Sequence, residues 1–182
     1  RFELTAEERT ARLCAAMHEA LRSAPAVSRG DAFPRAWWQH LGAQAMLGVG
    51  FDPDGGEPRA DWPAVAALAG IIARETAQLG LALGWLMNEM LGRFVIGPHV
   101  GNDGHRALLR MMARGRKVVA LAISEPQAGA HPKLLRCAAR QHDGQWLLEG
   151  EKSFVSNGPA ADVVVVLAVT GDHSTPCAIK GH

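Results

Sequence analysis

The chain has 182 residues, 48% of them hydrophobic and 20% charged, with 19 Lys and Arg against 18 Asp and Glu. A chain of this length buries a core of useful size, and its balance excludes a disordered tail and the clustered positive charge that a nucleic-acid surface needs. The longest apolar stretches, around 79–90 and 163–169, are shorter or more interrupted than the roughly 20 residues of a membrane helix, so no membrane span is expected.

The start, Arg1-Phe2-Glu3-Leu4-Thr5, is charged and then amphipathic, with no apolar segment or small-residue cleavage site, so no secretory signal is read and a cytoplasmic location is expected. Thr5 followed by Glu8 has the spacing of a capping box. Leu13, Met17, Ala20 and Leu21 then recur at helical intervals and predict a first helix over 6–21. Pro25 and Gly30 mark a loop, after which Pro34 opens a second helix that presents Trp37, Trp38, Leu41 and Ala45 and ends near Leu47. The stretch 48–58 is dense in Gly, Asp and Pro and reads as a loop. Asp61 can cap a third helix whose Val65, Leu68, Ile72 and Leu79 share one side. Gly80 and Gly84 break or pack this stretch before Leu86, Met87, Met90 and Leu91 continue it to Gly97-Pro98. A short helix follows over 104–112.

From Val118 the pattern changes to strands. The apolar run 118–123 is partly β-branched, and runs over 134–141 and 146–149 flank His142-Asp143-Gly144, a strong hairpin signal. The run 163–169 is nearly continuous in Val, Leu and Ala, which predicts burial on both faces or at a subunit contact. Helices first and strands after give a segregated α+β chain rather than an alternating βαβ one. No Gly-x-Gly-x-x-Gly or Walker-type loop is present, so a nucleotide would not be bound by those devices.

Few residues stand out as chemistry. Cys14, Cys137 and Cys177 are odd in number and far apart, which fits reduced thiols, and His99 and His105 have no third ligand at metal spacing, so no metal site is expected. Glu75, Glu89, Glu125, Glu149 and Glu151 read as surface or cap carboxylates, and His131 as an exposed loop residue. Ser124-Glu125-Pro126 puts a hydroxyl at a strand end where proline turns the chain away, leaving backbone N–H groups and the hydroxyl free to face a ligand.

The order of motifs is more specific than any one of them. Ser124, Glu125, Pro126 and Gly129 are followed by the Asp143-Gly144 hairpin, by Gly150, Lys152, Phe154, Val155, Ser156, Asn157 and Gly158, and by Ala161-Asp162 before Val163 to Val166. In this order they resemble the acyl-CoA dehydrogenase family, and the helical part resembles it more loosely. The resemblance implies an N-terminal all-α helical domain over 1–117, then an incomplete antiparallel β-domain over 118–182. In the family a later helical domain carries the catalytic base, so the chain is expected to be incomplete for catalysis alone, with no catalytic residue assigned within it.

By resemblance the cofactor is FAD, bound by Leu121, Ile123, Ser124, Gly129, Ala130, Phe154, Val155 and Ser156. The backbone at Ile123 and the backbone and hydroxyl at Ser124 would meet the pyrimidine edge, Gly129 and Ala130 the pyrophosphate, and Phe154 and Ser156 the flavin ring and its central nitrogen. At Ala130-His131 the chain departs from the family's Ser or Thr followed by Asp. The implied activity is an oxidoreductase of fatty acid metabolism acting on an acyl-CoA or acyl-carrier thioester. Its implied partners are an electron-transfer flavoprotein or similar acceptor and, because half a strand domain leaves apolar edges exposed, copies of itself or a partner subunit. The alternative is a non-catalytic or partner-dependent binding or assembly subunit.

Overall fold

The computed structural model describes residues 4–27, 30 and 32–170. Five helices come first: α1 (Ala6–Arg22), α2 (Arg35–Ala43), α3 (Trp62–Thr76), α4 (Leu79–Met90) and α5 (Asp103–Ala113). Four strands follow: β1 (Val119–Ala122), β2 (Ala138–His142), β3 (Gln145–Glu149) and β4 (Val163–Val166). The α+β order is therefore as the sequence predicts.

Local chemistry accounts for the helix starts. At α1 the Thr5 hydroxyl accepts from the Glu8 N–H at 3.2 Å while the Glu8 carboxylate accepts from the Thr5 N–H at 2.8 Å, the reciprocal capping box. Asp61 caps α3 by accepting from the Ala64 N–H at 2.9 Å. The end of α2 differs from the expectation of a helix to Leu47. Ala45 takes a left-handed φ of 54° and the Met46 N–H donates to the Leu41 carbonyl at 2.8 Å, so the chain leaves the helix early. That exit lets the Met46 carbonyl accept from the buried Trp85 indole at 2.7 Å.

The fourth helix runs on toward Gly97-Pro98 as the sequence predicts, but it is not α-helical throughout. After Met90 it continues through a π-helical turn, Leu91–Ile96, and a 3-10 turn, Gly97–His99. The run Leu79–His99 has 21 residues and is long and apolar enough by length and composition to cross a membrane, contrary to the expected shortfall. Half of its most apolar window is buried against this chain, and Asn88 and Glu89 lie fully buried on it, the placement of a core helix.

Two apolar clusters hold the fold. One packs α1, α2, α3 and α4 around Trp38, Leu41, Leu68, Ile72 and Trp85, and it reaches Val118 and Ala160. The other joins Phe51, Leu91, Leu109 and Met112 to Val119, with Val163 and Val165 at its edge. Each fully buried side chain of this size contributes about 1.5–3 kcal/mol of transfer free energy.

The expected antiparallel β-domain is a correction in part. β2 and β3 form an antiparallel hairpin with Gln141 opposite Trp146, turning at Asp143 and Gly144, both with positive φ. β1 and β4, by contrast, pair in parallel, Val119 with Val163 and Ala122 with Val166. The chain leaves the end of β1, makes the hairpin and returns through 150–162 to the beginning of β1, so β4 re-enters in the same direction. Asp162 fixes that return: its N–H donates to the Val118 carbonyl and its carboxylate accepts from the Val118 N–H, each at 2.8 Å. Nor is β4 buried on both faces of this chain, since Val164 is 46% exposed. Trp146, Leu147 and Leu148 of β3 are also exposed, and because neighbours in a strand point to opposite faces, both faces of the hairpin carry apolar surface.

Candidate functional site

Parallel pairing alternates the direction of backbone groups along a strand. The carbonyls of Val118 and Ala122 accept from Asp162, Val163 and Leu167, so the even-numbered residues of β1 face β4 and the odd ones, Leu121 and Ile123, turn their backbone groups to the opposite edge. The segment 152–154 lies along that edge. Lys152 Nζ donates to the Ile123 carbonyl at 2.9 Å, and the Ser153 N–H donates to the Ser124 carbonyl at 2.9 Å.

The contact is locked by Glu125, which corrects its reading as a surface or cap carboxylate. It is 3% exposed, and its carboxylate accepts from Lys152 Nζ at 2.9 Å and from the N–H groups of Arg136 at 2.7 Å and Cys137 at 2.9 Å. Burial works to raise its pKa, but the Lys152 bond and the two N–H donors outweigh it and hold the group at about 2. At neutral pH Glu125 is an anion that ties three segments together. The signal in the sequence was only a Glu in the first motif and a Lys in the second.

Around this lock the predicted positions take up distinct places. Leu121 points its half-buried side chain into the second apolar cluster, so only its backbone is left for a ligand. The carbonyls of Ile123 and Ser124 are committed to Lys152 and Ser153, which leaves their N–H groups and the Ser124 hydroxyl without hydrogen-bond partners among the described residues. Gly129 closes a tight turn in which its N–H and carbonyl each pair with Glu125 at 2.8 Å. Its φ of 57° favours glycine, and a Cβ there would meet nothing within 4 Å, so its outer side is open to close approach. Ala130 and His131 are exposed on the following turn.

Phe154 is the least ordinary of the set. Its ring is 95% exposed and its backbone holds a φ of 54°, a conformation that costs a bulky residue free energy and that recurs at ligand clamps and active sites. Beside it Ser156 is exposed, Val155 is half-buried, and the Ser153 hydroxyl is buried without a hydrogen-bond partner among the described residues. Asn157, not among the predicted site residues, ties this segment to α4 by donating from its amide to the Gly84 carbonyl at 3.1 Å. The structure thus brings 121–124 and 153–156 together, with Gly129 and Ala130 on the adjoining turn.

Glu89 is a second correction to the surface reading of the carboxylates. Fully buried on α4, it accepts from the N–H groups of Gly48 and Gly50 at 2.8 Å each. Burial is the largest influence and raises its pKa to about 7, opposed by those two N–H donors, the Asn88 amide and the Arg59 charge. It clamps the 48–50 loop from within the helical part of the chain, on α4.

Residues 120–180 match the family model of the acyl-CoA dehydrogenase middle domain. The chain is 28% identical over 143 residues to the mitochondrial isovaleryl-CoA dehydrogenase of Pongo abelii, covering 78% of this chain and 33% of that protein. It is 26% identical over 174 residues to the benzylmalonyl-CoA dehydrogenase of Aromatoleum aromaticum, covering 94% of this chain and 46% of the relative. Among solved structures, a glutaryl-CoA dehydrogenase from Mycobacterium smegmatis in complex with FADH2 superposes with a TM-score of 0.70 at 20% identity, covering 94% of this chain and 44% of that one. The chain spans less than half the length of these relatives.

Proposed function

This chain belongs to the acyl-CoA dehydrogenase family, and from that premise we propose that 121–124 and 153–156 form the flavin-facing wall of an FAD-dependent acyl-CoA dehydrogenase. The observation that carries the reading is Phe154, an aromatic face held almost wholly in solvent at a strained backbone angle, on a segment that also carries the exposed Ser156 and pairs with Ser124. The residues present fit FAD: a flat apolar ring, uncommitted donors, a buried Ser153 hydroxyl without a partner and an open glycine turn suit a planar heterocycle joined to a pyrophosphate.

When bound, FAD would supply the hydride acceptor for α,β-dehydrogenation of an acyl thioester. The chain's own part is to hold and orient it. Phe154 and Val155 offer apolar contact to the ring, while Ser124, Ser156 and the Ile123 and Ser124 N–H groups donate to its edge. Gly129 and Ala130 admit the pyrophosphate. The Glu125–Lys152 pair touches no ligand in this scheme and keeps the two segments in register.

None of the described carboxylates is assigned as the base. Glu75 pairs with His18, Glu89 and Glu125 are committed to N–H donors, and Glu149 and Glu151 are exposed. These commitments favour a second reading, a subunit that acts only together with the rest of the fold or a partner, in keeping with the uncovered apolar hairpin. The division into a helical domain over 1–117 and a β-region over 118–182, an oligomeric assembly, and an electron-transfer flavoprotein as acceptor belong to the same proposal. The visible absorption spectrum after adding FAD and desalting tests it. A retained flavin band that is lost in Phe154→Ala is the expected result, and a colourless wild-type chain would sink the flavin reading for this chain alone.

A further inference from the structure

A cavity of about 420 Å³ lies in the helical part of the chain, lined by the first turns of α1, the loop before α3 and the π-helical turn after α4. Three arginines from those three elements line it: Arg9, Arg59 and Arg93. Arg9 donates to the Leu4 carbonyl at 2.9 Å, and Arg59 donates to the Ala45 carbonyl. Arg93 lies over the rings of Trp62 at 5.6 Å and Phe94 at 6.0 Å and reaches the Gly50 carbonyl at 3.4 Å. Each guanidinium is thus oriented by backbone or aromatic contacts and keeps most of its five N–H donors.

None of the three is ion-paired among the described residues. Two carboxylates line the same cavity, Asp61, which is occupied in capping α3, and Glu57, which is exposed as Arg9 and Arg59 are, so the three arginines leave the lining with a net positive charge. Burial lowers the Arg59 pKa, opposed only by Glu89, although much of the residue is exposed.

We propose that this cavity binds a phosphoryl anion through Arg9, Arg59 and Arg93. A carboxylate is planar and is satisfied by one bidentate guanidinium, whereas donors arriving from three separate elements match the several oxygens of a tetrahedral group. A volume of this size also holds more than a bare ion and falls in the range of small-ligand sites.

The test is isothermal titration calorimetry and thermal unfolding of the 182-residue chain at fixed ionic strength. Inorganic phosphate, pyrophosphate and glycerol phosphate form the three arms, with chloride as the screening control. Saturable binding in at least one arm is expected, weakened about tenfold or more in Arg59→Gln and Arg93→Gln, because each loses charge-assisted bonds. Tightest binding of glycerol phosphate would assign the site to a phosphorylated organic ligand, and tightest binding of phosphate or pyrophosphate to the free anion. Arg9→Gln, on the exposed side of α1, provides a variant whose folding without anion should be unchanged while its binding falls. Binding that does not saturate, that chloride reproduces, or that survives Arg9→Gln and Arg93→Gln at full strength would overturn the proposal.

Discussion

Replacing Lys152 by Met should destabilise this chain far more than a surface substitution, and by an amount that depends on pH. In the wild type Glu125 is 3% exposed and its Lys152 partner is nearly as buried, with Nζ 2.9 Å from the carboxylate. Removing one member of a buried pair costs about 3–5 kcal/mol, because the other is left charged and unpaired. The sign with pH follows from the folded-state pKa of about 2 against an ordinary value of 4.5. A depressed carboxylate contributes stability that is present above pH 4.5 and lost as pH falls toward 2, about 3 kcal/mol across that interval. In Lys152→Met burial is no longer opposed by the lysine, the Glu125 pKa rises, and the protonated group becomes tolerable. The gap between variant and wild type should therefore be widest at pH 7 and narrow at pH 4. Urea unfolding of wild type, Lys152→Met, Glu125→Gln and the double variant measures it, with the double-variant cycle isolating the pair. A cost below about 1 kcal/mol at pH 7, in the range of surface pairs, would refute the argument, as would a gap that does not change with pH.

Glu89→Gln should change the pH dependence in the opposite sense. Because the folded pKa is raised to about 7, wild-type Glu89 penalises folding increasingly as pH rises from 4.5 to 7, so the stability of wild type relative to Glu89→Gln should fall over that window in urea titrations. Asp61→Ala should cost about 1 kcal/mol by leaving the Ala64 N–H uncapped, measured by thermal unfolding. Phe154→Ala should leave unfolding within about 0.5 kcal/mol of wild type, because the ring is 95% exposed, while retention of added FAD after desalting falls.

What could be read from the sequence was what is decided locally. The capping box at Thr5, the Asp61 cap and the Asp143-Gly144 turn depend on neighbours within a few residues, and all three are where the spacing put them. The end of α2 was not legible, because the early exit at Ala45 is tied to the bond that the Met46 carbonyl accepts from Trp85, 39 residues on from Met46. The continuation of the fourth helix to Gly97-Pro98 was legible, but the packing inside it was not: the Phe51 ring lies 2.2 Å from where a Cβ of Gly92 would be, so that glycine is a contact point inside a helix.

The candidate site divides along the same line. Its motifs were legible as an order of residues, yet the reason they occur together was not, because Glu125 and Lys152 stand 27 positions apart and meet only when the hairpin folds back. A buried carboxylate with three donors places Ser124 beside Ser153, and Phe154 follows from that placement. The exposed ring costs the fold its strained backbone angle, while the pair beneath it holds the segment in place. Loss of the pair and loss of the ring should consequently separate in experiment: Lys152→Met weakens folding and flavin retention together, whereas Phe154→Ala weakens retention alone. If Phe154→Ala unfolded the chain as readily as Lys152→Met, the ring would be part of the core in solution and the ligand-facing reading of this segment would fail.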